Sequence, residues 1–214
     1  MTSITKTGTV YVVDDDDIVR QALYRALADR GYHVRLFESA ESFLSVFASD
    51  EIACLITEVH LPGMTGLELQ TRLIQHPPPI PLAFITDFGD IPVAVQAMKK
   101  GAIDFLQKPV TPKQLTQLVE HLLKQARHSF AKYTAAQQMD ALMARLTPRE
   151  NDVLTRIVAG RLNKQIAHEM NITIKTVESH RAHLMKKCNA NSVADLIKLV
   201  IRPTAPLWVD AEHG

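Results

Sequence analysis

Five residues with chemically useful side chains stand where short apolar runs end. "VYVV" stops at Asp14 and Asp15, "ACLIT" at Glu58, "PLAFIT" on Thr86, and "AIDFLQK" on Lys108, with Pro109 behind it. If the runs are strands of one parallel sheet, all five collect at its carboxyl edge, where open α/β folds bind ligands. Three carboxylates there repel one another unless a hard divalent ion such as magnesium sits among them. The Thr86 hydroxyl and the Lys108 ammonium can then hold an anion. Carboxylates, metal, hydroxyl and lysine together suit phosphoryl chemistry. The bland alternative is that strand ends are commonly polar and Lys108 only neutralises an aspartate. Five matching positions weigh against it.

The elements needed to bring these residues together alternate through the first half of the chain. "IVRQALYRALADRGY" spaces its apolar residues as a helix does and reaches Gly31 where a helix should end. "HVRLF" reads as a strand and "SAESFLSVFA" as a serine-capped helix. "GLELQTRLIQH" is helical and is stopped by Pro77, Pro78 and Pro79, "IPVAVQAMKKG" is another helix, and Pro112 can begin a last one in "TPKQLTQLVEHLLKQA". Five β-α units in succession predict a five-stranded parallel sheet with helices on both faces, over residues 1–124.

Beyond Ala126 the strand signal stops. Residues 125–145 contain no glycine or proline and read as a helical linker. Residues 146–203 are all helical. "TPRENDVLTRIVAG" opens on a Thr147 cap with Pro148 in first position and Glu150 three residues after the cap, and it closes on Gly160. "NKQIAHEM", "KTVESHRAHLMKKC" and "NSVADLIKLVI" follow, the last ended by Pro203, which leaves residues 204–214 as a tail. Two short helices across a tight turn, the second rich in polar and basic residues, fit a helix-turn-helix in a four-helix domain.

Charge divides along the same line. Residues 1–124 hold 11 basic and 15 acidic groups, a balance of −4, and residues 145–202 hold 11 basic and 5 acidic groups, a balance of +6. The overall charge of +1 conceals this asymmetry, which predicts a cation or protein partner for the first half and nucleic acid for the second. No apolar run approaches the roughly 20 residues that span a bilayer, and "MTSITKTGTV" lacks a signal peptide's apolar core. The expectation is a cytoplasmic protein without membrane contact. Its two cysteines, Cys54 and Cys188, lie in segments of different character and fit a reducing compartment.

"VVDDDD", "LITEVHLPGMTG" and "FITDFGDIPVAVQAMKKGAIDFLQKP" resemble the receiver domains of bacterial two-component response regulators, the FixJ-like group in particular. The resemblance implies a flavodoxin-like fold. It matches Asp14 and Asp15 to the magnesium-binding pair, Thr86 and Lys108 to the groups that bind the phosphoryl and transmit the switch, and Phe105 to the rotating aromatic. The position matching Glu58 is an aspartate in that family, phosphorylated by a sensor kinase. Glutamate sets the carboxylate roughly 1.5 Å further out, and about 1 Å of misplacement can cost on the order of a hundredfold in reactivity. Glu58 is therefore expected to be a poor phosphoacceptor whose carboxylate reaches toward Thr86 and Lys108 and partly stands in for the phosphoryl group. Asp87, where the family usually has a small residue, adds charge at the mouth. Three origins of Glu58 stay open: a receiver always partly on, a receiver that answers to a ligand or protein partner, or an Asp-to-Glu variant of a conventional regulator.

"LTPRENDVL", "AGRLNKQIAHEMNITIKTVESHR" and "LMKKCNANSVADLI" resemble the LuxR-type helix-turn-helix of the same regulators. By that resemblance the positions of Glu178, Ser179 and Ala182 face bases, and those of Lys164, Thr176, His180 and Lys186 meet phosphates. Lys175, Arg181 and Lys187 add electrostatic attraction. Glu178 either accepts from a cytosine amino group or holds a neighbouring arginine. Val177, Leu184 and Ile166 read as core.

The leading reading is a DNA-binding transcriptional regulator, not an enzyme, that works as a homodimer on paired half-sites. The resemblance puts the dimer face on residues 93–100 and 115–122. A phosphoester hydrolase is the second reading. It lacks a glycine-rich phosphate loop after the first strand, and "DDDD" would repel its substrate. A receiver serving as a protein-interaction module is the third.

Overall fold

Strand burial decides how the first half is layered. In the computed structural model, which describes residues 8–48, 50–87 and 89–200, β1 (Thr9–Val13), β3 (Ala53–Thr57) and β4 (Leu82–Thr86) are buried at every position. Strands buried on both faces must be covered by helices on both sides. Val10, Val12, Cys54, Ile56, Ala83 and Ile85 point to one core, closed by α1 (Asp17–Ala28) and α5 (Pro112–Ala144). Tyr11, Val13, Leu55, Leu82 and Phe84 point to the other, closed by α2 (Ala40–Leu44), α3 (Gly66–Leu73) and α4 (Ile91–Lys99). With β2 (His33–Phe37) and β5 (Asp104–Gln107) at the edges, the order is β2-β1-β3-β4-β5, all parallel.

Local signals set the helix starts. Asp16 caps α1 by accepting from the Ile18 and Val19 amides. Ser39 and Thr65 form capping boxes at α2 and α3. The helix expected over "SAESFLSVFA" ends early, at Leu44. Phe47 is drawn instead into an aromatic cluster with Tyr11 and Phe43, at centroid distances of 6.2 and 5.1 Å.

Contacts divide the chain into two units, with the division between Tyr133 and Thr134. α5 runs unbroken through the segment expected to be a helical linker. In the second unit α6 (Pro148–Val158), α7 (Asn163–Met170), α8 (Ile174–Lys187) and α9 (Val193–Val200) enclose Val153, Leu154, Ile157, Ile166, Val177, Leu184 and Leu196. Ile166, Val177 and Leu184 are thus core, as their spacing implies. Asn171, in the left-handed region at φ 53°, turns the chain between α7 and α8. Pro203 and the tail at 204–214 lie outside the described residues. No helix among the described residues is long and apolar enough to cross a membrane.

Candidate functional site

The strand order reverses between β1 and β3, so the crevice beyond their carboxyl ends is the expected ligand position. Val13 pairs with Thr57, and the Glu58 amide donates to the Val13 carbonyl at 2.9 Å. Asp14 and Glu58 therefore emerge side by side. The Lys108 amide donates to the Thr86 carbonyl at 2.8 Å, which brings these two to the same edge. Gly66 lets the loop after Glu58 close: a Cβ there would stand 2.1 Å from the Glu58 carbonyl oxygen. Only glycine tolerates that approach without moving the loop.

Lys108 is the centre of the site. Its ammonium donates to Asp14 Oδ2 at 2.7 Å, Glu58 Oε2 at 2.9 Å and Asp87 Oδ2 at 3.3 Å. Glu58 Oε1 accepts from the Val59 and His60 amides at 2.7 and 3.2 Å and from the Thr86 hydroxyl. Asp14 Oδ1 accepts from the Asp16 amide at 3.0 Å. Asp14, Glu58 and Thr86 are buried, whereas the Asp87 side chain is 64% exposed and lies at the mouth. Phe105 is half-buried beside Phe84, with centroids 5.9 Å apart.

Protonation follows from these contacts. Burial pushes the Glu58 carboxyl up, but hydrogen bonds from Thr86, Lys108 and the His60 amide outweigh it and hold the group below its usual range. For Asp14 burial prevails over Lys108 and the Asp16 amide, and its carboxyl lies above its usual range. Burial disfavours the Lys108 ammonium, yet its hydrogen bonds to Asp14 and Glu58 raise its pKa well above the ordinary value.

The expected cluster of Asp14, Asp15 and Glu58 around a divalent ion does not form. Asp15 is exposed, and among the described residues no three His, Cys, Asp or Glu side chains group so as to hold a metal. Both Glu58 oxygens are taken by donors, and an ammonium sits between Asp14 and Glu58. This set does not fit magnesium, which needs near-octahedral oxygen ligands at roughly 2.0–2.1 Å. The longer glutamate explains the difference, because it carries the carboxylate on to Thr86 and Lys108. Arg20, which sequence reasoning missed, donates to the Asp14 carbonyl at 2.6 Å and to Asp17 at 3.1 Å. Nothing in a linear reading distinguishes it from Arg25, the other arginine of α1.

In the second unit the exposed face of α8 carries Lys175, Glu178, Ser179, Ala182 and Lys186, opposite the buried Val177 and Leu184. Lys164 is exposed on α7. Thr176 is partly engaged in the helix cap, its hydroxyl 2.8 Å from that of Thr173. His180 is half-buried. Two expected contributors of free charge are committed elsewhere. Arg181 donates to Asn163 Oδ1 at 2.8 Å, and Lys187 donates to Glu150 at 2.7 Å and to the Arg145 carbonyl at 3.1 Å. Arg181 thus ties α8 to the start of α7 and does not pair with Glu178.

Residues 10–120 match the family described as response regulator receiver domain, and residues 144–200 match that described as bacterial regulatory proteins, luxR family. The transcriptional regulatory protein FixJ of Bradyrhizobium diazoefficiens is 39% identical, over 93% of this chain and 97% of its own length. The chain belongs to the FixJ-like response regulators. Nodulation protein W of the same organism is another relative, 36% identical over 99% of this chain and 92% of its own. Among solved structures, response regulator StyR superposes with a TM-score of 0.83 at 40% identity, covering 91% of this chain and 98% of its own. Full-length FixJ from B. japonicum gives 0.56 at 39% identity, covering 91% and 96%. As a response regulator, the chain joins a flavodoxin-like receiver to a DNA-binding LuxR-type helical domain.

Proposed function

We propose that this response regulator is a transcriptional regulator whose receiver holds an active-like arrangement without a phosphoryl group, with Glu58 in the phosphoacceptor position. The observation that carries the reading is the pair of contacts from the Glu58 carboxylate to the Thr86 hydroxyl and the Lys108 ammonium. Those two groups are the natural donors for an anion at this edge, and the chain's own carboxylate satisfies them. Asp87 adds negative charge at the mouth and disfavours a dianionic phosphoryl donor. Asp14, Asp15 and Glu58 supply no magnesium site in this arrangement. A sensor kinase remains the partner class typical of the family; here its phosphoryl group is not what sets the state.

Output would be a homodimer on paired half-sites, since one small module buries too little surface for tight and specific binding. Ile91, Val95 and Met98 support this. They are 77, 46 and 45% exposed along α4, an apolar face beside Lys99. The α5 half of the expected face contributes less, because Leu115, Leu118, Val119 and Leu122 are buried against the sheet. Phosphates would be met by Lys164, Lys175, Thr176, His180 and Lys186, and bases by Glu178, Ser179 and Ala182.

The test is a DNA titration at fixed salt on a site selected from random duplexes, comparing the protein with Glu58→Asp, each with and without magnesium and a small phosphoryl donor. Tight binding by the protein, indifferent to the donor, is the expected result. Weak binding that only Glu58→Asp recovers, and only with donor, overturns the proposal.

A further inference from the structure

The exposed face of α8 has a composition that a purely electrostatic DNA-binding surface would not have. Ile174, Glu178 and Ala182 follow one another at intervals of four residues and so form one stripe along the helix. Ile174 is 45% exposed in the first turn, a large apolar side chain left in water by the fold. Glu178 is exposed, and among the described residues it has no ion-pair partner, whereas Arg156 and Arg161 pair with Glu169 and Lys187 pairs with Glu150. The arginine that could have neutralised it is 2.8 Å from Asn163 instead.

An unpaired carboxylate facing a polyanion is unfavourable unless it accepts a specific hydrogen bond. The second helix of a helix-turn-helix enters the major groove with its first turns against base edges. In that groove the donors are the exocyclic amino groups of cytosine and adenine, and cytosine is the better partner for a carboxylate because the adenine amino group lies beside the N7 acceptor. Guanine offers only acceptors there, and so does thymine, whose carbonyl lies beside its methyl group. Apolar side chains such as isoleucine and alanine have one good partner, the thymine methyl.

We propose that Ile174, Glu178 and Ala182 form a pyrimidine-reading strip: Glu178 accepts from the N4 amino group of a cytosine, and Ile174 packs on the methyl of a nearby thymine. This deepens the DNA-binding reading and rests on it. Four residues of helix rise about 6 Å, which spans about two base-pair steps of roughly 3.4 Å, so the two pyrimidines lie within about two base pairs of each other. The electrostatic attraction comes from the exposed Lys164, Lys175 and Lys186, and the strip itself supplies discrimination.

The experiment uses the full chain and a half-site selected from random duplexes. Each cytosine is changed in turn to thymine with its partner base, and each thymine to deoxyuridine, which removes only the methyl group. The protein is expected to lose about 5- to 150-fold in affinity at one cytosine per half-site and about fourfold at one deoxyuridine. Glu178→Ala should abolish the first penalty and leave the second, and Ile174→Ala should do the reverse. Both side chains are exposed, and unchanged circular dichroism melting of the variants verifies that the fold persists. Sequence-selective binding whose cytosine and methyl penalties survive both substitutions overturns the strip while leaving the DNA-binding reading intact. Equal affinity for every duplex, selected or random, overturns the strip and the reading of a sequence-specific regulator together.

Discussion

Thr86 at the end of β4 donates its hydroxyl to the carboxylate of Glu58 at the end of β3, and both side chains are buried. A buried carboxylate stays ionised only while its donors are in place. Thr86→Val keeps the shape and removes the donor. The expected cost is about 1–3 kcal/mol in urea unfolding, together with weaker DNA binding if Glu58 acts through this hydroxyl. Thr86→Ser should restore most of both. DNA affinity that follows stability alone, with serine no better than valine, would place the hydroxyl outside the switch.

Shortening Glu58 withdraws its carboxylate from Thr86 by roughly 1.5 Å. Glu58→Asp should therefore free the crevice for magnesium and raise its thermal midpoint with added magnesium, whereas the protein with Glu58 should show no shift. Glu58→Asp should also take phosphate from a small donor on the order of a hundredfold faster. Mass spectrometry of intact protein reads the modification. Equal magnesium shifts in the two proteins would contradict the geometry described for Lys108.

Lys108 is paired with two buried carboxylates, and among the described residues no other cation is paired with either. Lys108→Met leaves both uncompensated, for an expected loss of about 3–5 kcal/mol. The orphaned carboxyls gain protons more readily in the folded variant than in its unfolded chain. Its deficit should therefore shrink as pH falls and grow as pH rises, the opposite of ordinary acid denaturation. Adding Asp14→Asn should recover part of the loss at neutral pH. Urea titrations at several pH values measure both effects.

The strands, their chemically active tips and the capped helix starts were legible because each depends on neighbours in sequence. "ACLIT" is buried on both faces and reads as a continuous apolar run, and Thr147, Pro148 and Glu150 spell their own cap. The partners of long charged side chains were not legible. Lys108 bridges to Asp14 and Asp87, and Arg181 turns to Asn163, 18 positions away. Such side chains have many rotamers and settle on a partner only after the backbone is placed. The engagement of Lys108 was hidden for the same reason: sequence put three carboxylates at one edge but did not show which cation of the chain would reach them.

Salt dependence separates cations that meet phosphate from those that hold the fold. Each phosphate contact adds about 0.9 to the slope of log affinity against log salt. Lys164→Ala, Lys175→Ala and Lys186→Ala should each lower that slope by about one contact and weaken all duplexes alike. Lys187→Ala should leave the slope nearly unchanged and lower stability, because its ammonium is occupied by Glu150 and the Arg145 carbonyl.

Glu150 links the stability of the helical unit to acid. The hydrogen bond from Lys187 and that from the Thr147 amide hold its carboxyl down to about 2, against an ordinary 4.5. The folded chain therefore binds this proton less readily than the unfolded chain. The stabilisation is fully present above about 4.5 and is lost as pH falls toward 2. Glu150→Gln keeps an acceptor for the Thr147 amide, so the capping box survives while the charge is gone. The protein should exceed this variant in stability at neutral pH, and the gap should close between pH 4.5 and 2. Glu150→Ala should cost on the order of 1 kcal/mol more, since it also removes the cap. Urea unfolding of the full chain, followed by helical circular dichroism at each pH, measures the gap. A difference between the protein and Glu150→Gln that stays constant across that interval would show that Lys187 and Glu150 touch without stabilising one another.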